Sequence, residues 1–102
     1  MKSLTASTLA VLMALSTPAL AEKELASCEQ IAGLAESMMS ARQSGVSMVD
    51  AMGTAGDSAM IEKMVIDAYE VHRFKAPVWQ ESEVADFRDK YFMACYKSRQ
   101  GN

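Results

Sequence analysis

One histidine, two cysteines, two prolines, one tryptophan and no excess of positive charge leave this 102-residue chain short of the side chains most chemistry is built from. With His72 alone, no multi-histidine metal site can form within one chain, and neither the H-E-x-x-H nor the C-x-x-C spacing occurs. A glycine-rich phosphate loop is missing as well, because Gly53-Thr54-Ala55-Gly56 follows a short helical pattern and not a strand. No nucleophile-elbow sequence surrounds any serine. Thirteen acidic residues guarantee that some carboxylates lie close together, so paired acids carry no weight. The expectation is a protein that is not an enzyme and holds no cofactor.

Basic residues are outnumbered, 10 Lys+Arg against 13 Asp+Glu, for a net charge of −3. That excludes the basic patch on which nucleic-acid binding relies. The cation-rich amphipathic face of a membrane-surface helix is lacking too. Long apolar runs are limited to Leu4–Leu15, about a dozen residues against the roughly 20 that a membrane span needs.

That run instead has the length of a signal-peptide core. Met1-Lys2 supplies the positive start, Ser16-Thr17-Pro18 breaks the helix and Ala19-Leu20-Ala21 forms an A-x-A cleavage site. The pattern predicts a secretory leader over residues 1–21, cut after Ala21, and a single helical domain over 22–102. Cleavage would remove Lys2 and no acid, leaving 9 basic against 13 acidic residues, a net charge of −4. Leu25-Ala26-Ser27-Cys28 has the form of a lipobox, but Glu22-Lys23-Glu24 separates it from the apolar run that should lead into it. The expected location is therefore the periplasm or beyond, with no stable membrane insertion after cleavage.

What the chain does have is organised around Cys28. Cys28, Ile31, Ala32, Ala35, Met38, Met39 and Arg42 share one helical face, and Val84, Phe87, Arg88, Tyr91, Ala94 and Cys95 share another. Two cysteines in an exported chain point to one disulfide. The pattern predicts helices over about Leu25–Gln43, Ser47–Met52, from Asp57 or Ser58 to the break at Pro77, and from Val78 or Ser82 to Ser98. Gly33 inside the first is expected to mark a close helix–helix approach. Short loops favour antiparallel neighbours. The fold expected is all-α, a small antiparallel bundle of three long helices and one short helix tied by Cys28–Cys95.

Two features carry functional candidates. Met48/Met52 and Met60/Met64 are i, i+4 pairs, and soft thioethers suit Cu(I), although methionine also fills irregular gaps in small cores. The stretch from Tyr69 to Trp79 gathers aromatic and basic groups at a predicted helix end, and Trp, Tyr and Arg dominate binding energy at protein interfaces. Tyr69, His72, Arg73, Phe74 and Trp79 are thus the candidate partner-binding residues, with His72 able to confer pH sensitivity. A protein partner is the leading expectation and Cu(I) binding the alternative. The layout resembles small exported bacterial helical proteins held by one disulfide, such as periplasmic immunity proteins and acid-stress chaperones. That likeness is one of architecture and carries no residue.

Overall fold

The computed structural model describes residues 26–100, so the leader expected over residues 1–21 lies outside the described residues. These residues form four helices and no strand: α1 (Cys28–Ser44), α2 (Met48–Met52), α3 (Ala59–Glu70) and α4 (Pro77–Gln100). No helix among the described residues is long and apolar enough to cross a membrane.

Local chemistry sets the helix starts. Ser27 opens α1 with a capping box, its hydroxyl accepting from the Gln30 N–H (3.1 Å) while the Gln30 side chain accepts from the Ser27 N–H (2.8 Å). This fixes the start three residues after the expected Leu25. Ser47 and Ser58 cap α2 and α3 through the hydroxyl alone, accepting from Asp50 N–H and Ile61 N–H. Gly45 ends α1 in the left-handed conformation (φ 97°). Its N–H bonds Arg42 O and the next N–H, of Val46, reaches back to Ala41 O, the Schellman pattern that satisfies two otherwise orphaned carbonyls.

α1 and α4 run antiparallel along their stripes. Cys28, in the first turn of α1, is disulfide-bonded to Cys95, in the last two turns of α4, with Cα atoms 5.6 Å apart. Beside it the Arg99 guanidinium donates to the Ala26 carbonyl. At the far end Gln80 of α4 meets Gln43 of α1. Between these ties α3 lies against α1, and three helices share one core of Ala35, Met39, Met64, Ala68 and Phe87, flanked by Ile31, Met38, Val84 and Tyr91. Met39 and Met64 are fully buried, which stabilises the fold by about 1.5–3 kcal/mol for each side chain. Phe87 is the only fully buried residue of α4, so that helix rests on a narrow stripe.

Two expectations are corrected here. Gly33 marks no close approach within the chain, because a Cβ added there would meet nothing within 4 Å. Gly33→Ala is accordingly expected to stabilise the protein by about 1 kcal/mol in urea denaturation, through helix propensity alone. α3 also stops well before Pro77, at Glu70, where Val71 turns extended (φ −79°, ψ 140°). Pro77 instead occupies the first helical position of α4, where its missing N–H has no bond to lose. His72 therefore lies beyond the end of α3, not within a helix running to Pro77.

α3 and α4 meet at Tyr91, whose hydroxyl donates to the Asp67 carboxylate (2.6 Å), with Lys63 on the same oxygen at 2.7 Å. Burial alone would raise the Asp67 pKa, but the bonds from Lys63 and Tyr91 outweigh it and hold the group below its ordinary 3.8. Burial, together with the Asp67 carboxylate, holds the Tyr91 phenol protonated well above the usual tyrosine range. The Asp67 side chain is 17% exposed and keeps the Lys63 ammonium when the phenol is removed, so Tyr91→Phe should lower stability at pH 7 by only about 1 kcal/mol. A depressed carboxylate pKa gives stability that is present above the unfolded value and lost as pH falls through the folded one. The difference between the two proteins should thus close as urea titrations are taken to below about pH 4.

Candidate functional site

The segment that leaves α3 at Val71 and enters α4 at Pro77 has no regular structure, and it is held by the end of α1. Arg42 Nε donates to the Val71 carbonyl (3.0 Å). Gln43 Nε2 donates to the His72 carbonyl (2.8 Å), and the Phe74 N–H donates to Gln43 Oε1 (2.8 Å). One amide side chain thus takes over both a donor and an acceptor that a continued helix would have used, which is the physical reason α3 ends early. Gln43 is the one buried polar residue among those described, and its Nε2 also lies 3.6 Å from Met39 Sδ.

α4 closes the clasp from the other side. Gln80 Nε2 donates to the Phe74 carbonyl (2.6 Å) and more loosely to Gln43 O (3.4 Å). Arg73 Nε donates to that same Gln43 carbonyl (3.2 Å), placing a cation at the negative end of the α1 dipole. Its guanidinium packs so closely on Gly45 that an added Cβ would stand 2.7 Å from a terminal nitrogen.

The sequence-predicted residues divide into two groups. Tyr69 and Arg73 take part in the internal clasp. The Tyr69 ring lies under Arg42, with the guanidinium 5.1 Å from its centroid, and its hydroxyl donates to the Val46 carbonyl (2.7 Å). Burial raises the Tyr69 phenol above its ordinary value, with Asp50 adding to the effect and Arg42 opposing it, so it stays a donor. His72 and Phe74 join the clasp through their backbone only, and the side chains of His72, Phe74 and Trp79 are not used in this way. The His72 ring meets the half-buried Phe74 edge-on at 4.8 Å and is itself exposed. Trp79 is 59% exposed and Val78 64%, both in the first turn of α4 next to Gln80.

The methionine pairs fall on two helices, Met48 and Met52 on α2 and Met60 and Met64 on α3. Met64 is fully buried in the core, while Met48 and Met60 are each about two-fifths exposed. Among the described residues, no group of three or more His, Cys, Asp or Glu side chains is placed to hold a metal ion.

Gln43 was not a candidate from sequence, although the signal was there. Cys28, Ala32, Ala35, Met39 and Gln43 all lie on the buried face, so a polar amide stands where the stripe calls for an apolar residue. Such a side chain has to be hydrogen-bonded, and its partners here define the corner. Compared with protein-family models, curated proteins and solved structures, the chain has no significant match.

Proposed function

We propose that the protein is an exported, non-enzymatic helical module that acts in the periplasm by binding another protein, in the manner of an immunity protein or an inhibitor. Trp79 carries the reading. The chain's one tryptophan is more than half exposed on the first turn of a helix, and the adjacent residue, Gln80, is tied into the Gln43 clasp. An exposed indole on a loose segment would lose binding free energy to ordering when it docked. On a fixed turn that loss is already met by folding. Trp and Arg are the residue types whose removal weakens interfaces most, and exposed Val78 extends the apolar area beside the indole.

Export is supported by the leader pattern of residues 1–21 and by the disulfide, a bond that persists in oxidising compartments. The lack of a nucleophile-elbow sequence and of a multi-histidine set supports a binding role over a catalytic one. Affinity capture from periplasmic extract, quantified by mass spectrometry, tests the assignment. The wild type is expected to retain a defined partner that Trp79→Ala and Trp79→Ala/Arg73→Ala lose, with helical content unchanged by circular dichroism. Identical partner lists for the three proteins would remove the corner from the function.

A further inference from the structure

A second face of the molecule offers an apolar cleft that lies away from the Trp79 turn. It runs between α1, α2 and the start of α3, encloses about 340 Å³ and is lined by Leu34, Met38, Ala41, Val46, Ala51 and Ile61. Leu34, Val46 and Met48 are each more than two-fifths exposed, and Val49 on the same short helix is 82% exposed. Leu34 and Val46 also line the cleft, so exposed apolar surface and cavity meet there.

Charge and backbone shape narrow down what covers it. Asp50 is the one charged residue lining the cleft, and no ion pair involves it among the described residues. Arg42 and Arg73 at the end of α1 and in the clasp are occupied elsewhere: Arg42 on the Val71 carbonyl and over the Tyr69 ring, Arg73 on the Gln43 carbonyl. Asp50 is close enough to raise the Tyr69 phenol, so the negative field reaches the edge of the clasp. On α1, Gly33, Ser37 and Ala41 follow each other at i, i+4 spacing, with Ser37 and Ala41 in the cleft wall. Gly33 is exposed with open space around it, so nothing inside the chain requires a glycine there.

We infer that this cleft is a docking groove for an amphipathic helix of a protein partner, one that inserts an aliphatic side chain between Leu34 and Ile61 and turns a lysine or arginine toward Asp50. The small residues of α1 let the incoming helix backbone come close, and the acidic rim selects a basic helix over an acidic one. This face is separate from the Trp79 corner, so the inference stands or falls independently of the function proposed above.

The test uses the isotopically labelled, disulfide-bonded protein and two probes, an amphipathic leucine–lysine peptide and its leucine–glutamate counterpart. The lysine peptide is expected to shift the backbone amides of Leu34, Ser37, Ala41, Val46 and Ile61 while leaving Trp79 unmoved. It should bind at least about tenfold more tightly than the glutamate peptide. Asp50→Lys should remove or reverse that preference, and Leu34→Glu, at an exposed position of α1, should abolish the shifts with helical content intact. No binding of the lysine peptide at millimolar concentration would overturn the inference. So would equal affinity for the two peptides, shifts centred on Trp79, or groove shifts that appear on concentrating the protein alone and so assign the face to a second copy.

Discussion

Reduction of the Cys28–Cys95 disulfide is expected to lower the free energy of unfolding by about 4 kcal/mol, measured by urea titration with and without reductant. The bond joins residues 67 apart, so breaking it returns most of the domain's loop-closure entropy to the unfolded chain. The folded side of the balance points the same way. α4 buries one residue fully, Phe87, and otherwise touches the core through half-buried Val84 and Tyr91. Without the disulfide, the end of α4 near Cys95 keeps the Arg99 bond to Ala26, which lies at the surface. A domain of this size has a typical stability of about 5–15 kcal/mol, so the loss is a large share of the total. Cys28→Ala/Cys95→Ala should reproduce it. A loss under about 1 kcal/mol would mean that the stripe contacts alone hold the helix pair together.

The second large effect is expected at the other end of the pair. Gln43→Ala should cost about 3 kcal/mol, because it strands two backbone groups at once. The Phe74 N–H loses its acceptor and the His72 carbonyl loses its donor, both in a half-buried setting. A truncated side chain also leaves a gap beside Met39. Gln43→Glu separates the two contributions. It keeps an acceptor for Phe74 N–H, but it offers no donor to His72 and places a carboxylate in a buried site, so it should be no better tolerated than alanine. Hydrogen exchange gives the local readout, with the Phe74 amide expected to lose its protection in Gln43→Ala and to keep more of it in Gln43→Glu, which retains an acceptor. Because Gln80 hangs on the same cluster, partner capture should also weaken although Trp79 is untouched.

Helix number, the antiparallel pairing and the disulfide were legible because they follow from apolar spacing and cysteine count. Cys28, Ala32, Ala35 and Met39 lie buried on one face of α1, and Val84, Phe87, Tyr91 and Cys95 follow one stripe along α4. The α3 terminus was not legible from proline. Pro77 reads equally as a stop or as a first helical residue, and what decides between them is a tertiary competitor, Gln43, from 29 residues upstream. Gly33 was misread because a glycine within a helix need not mark any approach, and a Cβ added there would meet nothing within 4 Å. Ser27–Gln30 is a capping-box signature, written in plain view, that fixes the start of α1 better than the apolar run does. Of the corner residues, composition could nominate Tyr69, His72, Arg73, Phe74 and Trp79 together. It could not separate Tyr69 and Arg73, whose polar groups face inward, from Trp79, which faces water.

We propose that Trp79, held on its clasped turn, is where a periplasmic partner binds. A single tryptophan makes this directly observable, because 5-fluorotryptophan labelling gives one fluorine resonance that reports on position 79 alone. One sharp line is expected for the purified, oxidised protein. On addition of periplasmic extract that line should shift or broaden, and unlabelled wild-type protein should compete the effect away while unlabelled Trp79→Ala does not. A resonance that stays sharp and unshifted in extract, under conditions where affinity capture retains a partner, would contradict it.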